Sequence, residues 1–144
     1  MDSKNKLYIP PSGPPQGIKI DPQVYVLMGQ ENIFKMLEDF YLEVGKSSIA
    51  KMFPSDLSVA SKKSAEFFVH ILGGPPIYQE RHGPPMMRKR HMAFTITESD
   101  RQVWLSCFRK ILVGAGEKYR FPMEHMPSFL GFLDQFSGWM VNSE

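Results

Sequence analysis

From Gly73 to Trp104 the chain cannot be one continuous helix. The stretch reads GGPPIYQERHGPPMMRKRHMAFTITESDRQVW. Gly73-Gly74 supply a left-handed stop for whatever helix precedes them, and Pro75-Pro76 prevent it from resuming. Gly83, Pro84 and Pro85 interrupt the chain again. Residues 75–85 are therefore expected to form a long loop. A short helix from Pro85 to about Met92 then carries His91, and Trp104 follows thirteen residues later. A loop of that length inside a small domain is usually functional or wrapped around something.

Helical periodicity flanks this broken middle. Asp21-Pro22 is a helix start, a capping carboxylate followed by proline at the first helical position. A short helix runs to Met28 and stops at Gly29. Ile33, Met36, Leu37, Phe40, Tyr41 and Val44 then repeat at three and four, and Gly45 ends that helix. A single turn is expected over 48–52, closing on Phe53-Pro54. The next helix spans 58–72 with Ala60, Ser64, Phe67, Phe68 and Ile71 inward and Lys62, Lys63 and Glu66 elsewhere. Thr97 or Ser99 caps the following helix; Ser99 with Gln102 has capping-box spacing. Val103, Trp104, Cys107, Phe108, Ile111 and Leu112 form its apolar face, which fades at Gly114-Ala115-Gly116. The last helix starts near Pro122 and buries Met126, Phe129, Leu130, Leu133, Phe136 and Met140. No strand pattern of useful length competes, so the class is all-α. Residues 1–20 hold Pro10, Pro11, Pro14 and Pro15 and keep neither period. They are expected to be a flexible proline-rich arm, with the folded domain over 21–144.

At 144 residues there is length for one core but not two. The net charge of +2 gives no argument for nucleic acid. Cys107 is the single cysteine, which excludes an intrachain disulfide and favours a reducing, cytoplasmic setting. The absence of a long apolar run argues against a membrane span. There is no GxSxG, no GxxxxGK[ST], no HExxH and no CxxC. His70, His82 and His125 share no ligand spacing with one another, so a zinc site is not expected. His91 differs. Arg88, Lys89 and Arg90 precede it and Met92, Ala93 and Phe94 follow, which places an imidazole between a basic rim and an apolar interior. On this pattern alone it is either a ligand or a satisfied structural residue.

Taken in order, the pieces resemble the second group of truncated haemoglobins. They are Phe40-Tyr41, Phe53-Pro54, Gly73-Gly74-Pro75 with Tyr78, the run Arg88-Lys89-Arg90-His91, and then Phe94, Ile96, Trp104, Leu105 and Cys107. The match runs from about Gly29 to Val141. The resemblance implies a two-over-two helical sandwich around haem b, with His91 as the proximal iron ligand. It implies that Phe53, Phe67, Met87, Phe94 and Ile96 sandwich the ring, while Lys63, Tyr78 and Arg90 meet the propionates. Dioxygen and other diatomic gases are then the ligands. Tyr41 and Trp104 lie on the far side of the iron, where a phenol O–H and an indole N–H donate to a partly negative oxygen. Tight retention suits redox work on nitric oxide or peroxide, with a reductase as partner, better than delivery.

The sequence departs from that pattern in places. The usual distal histidine position falls to Ala60, which cannot donate. Ser64 stands where a bulkier apolar or amide side chain is commoner; it can hold a water or open a channel. Pro84-Pro85 replaces a histidine-proline pair, and the proline-rich arm has no counterpart. Two other readings keep the same helices: a haem-based gas sensor or interaction module acting through a partner protein, and a cofactor-free helical domain with a basic patch.

Overall fold

The computed structural model describes residues 8–15 and 17–144. Among them the regular structure is helical: α1 (Gln23–Met28), α2 (Gln30–Gly45), α3 (Leu57–Ile71), α4 (Ile77–His82), α5 (Met87–His91), α6 (Glu98–Leu112), α7 (Ala115–Tyr119) and α8 (Met126–Met140). Short 3-10 turns cover Ala50–Met52 and Met123–His125. α2 packs chiefly on α3 and α6, and α6 packs on α8. The result is two pairs of long helices, α2 with α3 and α6 with α8.

Local chemistry explains the main boundaries. The Asp21 carboxylate accepts from the Gln23 backbone at 2.9 Å and opens α1. Asp56 does the same for α3 through Ser58 at 3.0 Å. At α6 the cap is Thr97, not Ser99. Its hydroxyl accepts from the Asp100 backbone at 3.2 Å, and the Asp100 carboxylate accepts from the Thr97 backbone at 3.0 Å. Gln102, the partner a Ser99 cap would need, donates to Glu98 instead.

The paired glycines after α3 are required by packing as well as by the stop. Gly73 has φ +108°, and a Cβ there would come within 2.4 Å of the Pro22 backbone. A Cβ on Gly74 would meet the Tyr25 ring at 2.6 Å. The chain end of α3 thus sits directly against α1, with the Tyr25 N–H donating to the Leu72 carbonyl at 2.9 Å.

Four expectations need correction. Leu130, expected on the buried face of the last helix, is exposed. Residues 75–85 are not all loop, because α4 forms within them. Pro75-Pro76 block continuation of α3 but do not hinder a new start, since the first turn of a helix has no use for its N–H groups. Glu66, expected off the inward face, is buried. The reason is α4 itself, which lies over α3 and supplies Arg81 at 2.9 Å and His82 at 3.1 Å to the Glu66 carboxylate. A helix was also missed at α7, where Gly114-Ala115-Gly116 reads as weak. Tertiary burial overrides propensity there: Ala115 and Tyr119 are fully buried, and the Tyr119 hydroxyl donates to Asp39 at 2.5 Å.

The expected arm lies partly outside the described residues. Where it is described it rests on the body. Pro10 is buried, Ile20 belongs to the core, and the Tyr8 carbonyl accepts from Arg88.

Gly73→Ala should combine a strained left-handed backbone with a clash against Pro22, costing about 2–4 kcal/mol. Chemical denaturation of the variant beside the parent reads this as a lowered midpoint. An unchanged midpoint would mean that the α1–α3 approach gives way freely.

Candidate functional site

α3 presents two rows. Ser61, Ala65 and Leu72 are buried in the body, and Phe68 is buried where the body meets the cavity. Ala60, Lys63, Ser64 and Phe67, one row around the helix, line a cavity of about 400 Å³ instead. The opposite walls come from α2, α5, α6, α8 and the segments around Phe53 and Phe94. Every site residue expected from the sequence lines this space: Tyr41, Phe53, Ala60, Lys63, Ser64, Phe67, Tyr78, Met87, Arg90, His91, Phe94, Ile96 and Trp104.

His91 ends the five-residue helix α5 and is half-buried. Its Nδ1 lies 2.6 Å from the Met87 carbonyl oxygen. A carbonyl only accepts, so Nδ1 carries a proton, and in the neutral ring Nε2 carries the lone pair. No described residue bonds Nε2. The ring is thus fixed in the tautomer that coordinates a metal, and its orientation is set by a backbone atom one turn earlier.

Across the cavity an aromatic cluster fixes Trp104. Phe40 and Phe108 stack at 3.9 Å. Trp104 meets Phe40 at 5.5 Å, Phe108 at 4.9 Å and Phe136 at 6.2 Å, edge-on to the first two. Among the described residues nothing accepts from its indole N–H. Tyr41 packs edge-on against Phe40 at 5.0 Å and Phe53 at 5.6 Å. Its hydroxyl shares a hydrogen bond of 2.7 Å with Ser64. Ser64, expected to hold a water or open a channel, is therefore engaged with the phenol. Burial pushes the Tyr41 pKa up, and the Ser64 bond offsets part of that shift.

The polar edge is uneven. Lys63 is exposed at the cavity. Arg90 also lines it, but its Nε donates to Pro85 O at 2.6 Å and its Nη2 to His82 O and Pro84 O at 2.8 and 2.9 Å. Much of its donor capacity closes the proline loop rather than facing outward. Tyr78 is buried beneath it, 5.3 Å from the guanidinium and 4.8 Å from the His82 ring. Burial raises the Tyr78 pKa, partly countered by Arg90.

Sequence reasoning missed several contributors. Phe136 and Met140 reach the cavity from α8, Met52 from the turn before Phe53, and Val59 from the first turn of α3. Arg101 joins α6 to α8 at the cavity edge, donating to Ser137 at 3.0 Å and to Asp134 at 2.6 Å. The signal for it was present: an acid at i−3 on α6 and Asp134/Ser137 one turn apart on α8. Arg88, read as part of a basic rim, turns inward to the carbonyls of Trp139 and Val141.

The family model of bacterial-like globins matches residues 23–142. The chain belongs to that family. It is 39% identical over 93 residues to the group 2 truncated hemoglobin YjbI of Bacillus subtilis (strain 168), covering 64% of this chain and 70% of that one. The X-ray structure of the truncated oxygen-avid haemoglobin from Bacillus subtilis superposes with a TM-score of 0.74 at 34% identity, covering 82% of this chain and 98% of that one. The group II truncated hemoglobin of Bacillus anthracis gives 0.76 at 30% identity, covering 83% and 90%. The fold is thus the two-over-two globin sandwich, α2 and α3 over α6 and α8.

Globins of this kind hold haem b and bind oxygen, and the residues here fit the group. Haem is a flat apolar ring with two carboxylates, and the cavity has aromatic and aliphatic walls, cations at its edge and one imidazole with a free ring nitrogen. Among the described residues no helix is long and apolar enough to cross a membrane, and no cluster of three acidic, histidine or cysteine side chains offers a separate metal site.

The Tyr41 shift has a sign that can be tested. The folded state holds the phenol proton more tightly than the unfolded chain, where it titrates near 10.0. Its contribution to stability is complete below that pH and is lost as pH rises through the folded value. Tyr41→Phe should therefore flatten the fall in melting temperature above pH ~10. Identical alkaline slopes in parent and variant would contradict the burial assigned to this hydroxyl.

Proposed function

We propose that this globin holds dioxygen tightly at a pentacoordinate ferrous haem and uses it for redox chemistry on nitric oxide or peroxide rather than for delivery. His91 is the proximal ligand, and Trp104 and Tyr41 are the donors that retain the gas. Bound haem supplies the iron at which a diatomic gas is held.

The observation that carries this reading is the pairing of a free indole N–H with an immobilised ring. Trp104 is wedged among Phe40, Phe108 and Phe136 on the wall facing the haem space. A donor without a protein acceptor, in an apolar space, gains most from a partly negative ligand atom. Tyr41 differs, because its hydroxyl already has Ser64. A phenol that donates to the gas must either leave Ser64 or accept from it. The Ser64 hydroxyl can rotate to donate, so the pair can relay rather than break. Trp104 is accordingly the principal donor and Tyr41 the adjustable one. Ala60 adds no donor and leaves room beside them.

Haem contact falls to Phe53, Phe67, Met87, Phe94 and Ile96. Lys63 is the better placed cation for a propionate, since Arg90 is largely occupied by loop carbonyls. Formation of nitrate from nitric oxide and dioxygen consumes one electron, so steady turnover needs an external reductase.

A hydrogen bond to a charged partner contributes about 1.5–3 kcal/mol, roughly ten- to a hundredfold in a rate. Stopped-flow release of dioxygen from Trp104→Phe should be faster than the parent by about that factor, with a smaller increase for Tyr41→Phe. An unchanged rate in Trp104→Phe would remove the indole from the ligand and overturn the proposal.

A further inference from the structure

α5 is only five residues long and has no buried residue of its own. A helix that short is not stable alone. It also begins at Met86, a non-glycine residue with φ 40°, which is an unfavourable start. The Met87 carbonyl fixes the His91 ring relative to α5, but the internal bonds of α5 do not fix α5 relative to the cavity. Other parts of the chain must do so.

They do so from the far end of the sequence. Just past α8, the Asn142 side chain meets three backbone groups between His91, the last residue of α5, and Ile96. Its Nδ2 donates to the Phe94 carbonyl at 2.9 Å and to the His91 carbonyl at 3.3 Å, and its Oδ1 accepts from the Ile96 N–H at 2.9 Å. The Asn142 and Ser143 backbone N–H groups both donate to the Ile96 carbonyl, at 3.0 and 3.2 Å. From the other direction Arg88 reaches from α5 to the Trp139 carbonyl at 2.5 Å and the Val141 carbonyl at 2.8 Å, where the last turn of α8 leaves acceptors free. The Arg88 guanidinium also lies 4.5 Å over the Trp139 ring.

We infer that Asn142 is a positioning residue for the proximal imidazole: its amide holds the 91–96 segment, and with it the tilt of the His91 ring toward the haem iron. The inference rests on the reading of His91 as iron ligand. An amide is needed because the site asks for two donors and one acceptor from one short side chain. Asparagine supplies both kinds, aspartate supplies only acceptors, and alanine supplies neither. Arg88 carries the coarse docking of α5 onto α8. Asn142 carries the fine placement of the residue that follows from it.

The test is resonance Raman of the ferrous holoprotein, reading the iron–histidine stretching band, together with the rate of haem transfer to excess apomyoglobin. Asn142→Ala and Asn142→Asp are compared with the parent, and thermal melts report overall stability. Both variants are expected to shift or broaden the band and to release haem about tenfold faster. Asn142→Asp keeps the side-chain shape and remains informative if the alanine variant does not fold. A lowered melting temperature with an unchanged band and transfer rate in both variants would reduce Asn142 to a structural role and overturn the inference. A parent protein that shows no iron–histidine band would instead overturn the His91 reading, which separates the two failures.

Discussion

The Nδ1–H of His91 donates to the carbonyl of Met87 four residues earlier, at 2.6 Å. Much of the site follows from that bond. It uses the backbone acceptor one helical turn earlier. It settles the tautomer, and so leaves the lone pair on the nitrogen that lies farther out on the ring. Without it the imidazole would rotate, and either nitrogen could face the haem space. Histidine ligands in metal proteins are commonly fixed in this way by a partner on the second nitrogen. Here the partner is the main chain, so no single side-chain substitution removes it.

The rest of the architecture keeps that ring across the cavity from Tyr41 and Trp104. The broken middle of the chain gives up helix packing, and haem replaces it. α3 is divided lengthwise between a body face and a haem face. The aromatic cluster of Phe40, Phe108 and Phe136 gives Trp104 little freedom, whereas Tyr41 shares its hydroxyl with Ser64. On the proposed reading, a rigid donor beside an adjustable one suits retention of a small ligand whose charge changes on binding. The segments that close the haem space from the proximal side are short and weakly buried. They borrow stability from the end of α8, through Arg88 and Asn142.

How much of this was legible in the sequence depended on the range of the interaction. The long helices were legible because α2, α6 and α8 carry apolar residues at three-and-four spacing, a local property. The cavity residues were legible through the ordered series from Phe40-Tyr41 to Trp104, which resembles the family, and all of them do line the cavity. What failed was whatever depended on distant partners. α7 looked too glycine-rich to form until Tyr119 found Asp39 eighty residues away. Glu66 looked like a surface charge until α4 covered it, and α4 was hidden because its prolines were read as breakers rather than as a start. Arg88 and Asn142 bond to backbone atoms about fifty residues away, and side chain-to-backbone bonds of that span leave no trace in periodicity or motif. Arg90 lies beside the cavity as expected, and its bonds to the carbonyls of His82, Pro84 and Pro85 were a further local detail that the motif did not show.

The most direct test is the visible absorption of the reduced haem protein, recorded for the parent and for His91→Gly with and without added imidazole. A five-coordinate ferrous spectrum is expected in the parent, with its loss in the variant and its return when free imidazole enters the space left by the side chain. A variant whose spectrum matches the parent without imidazole would show that the iron is held by some other residue.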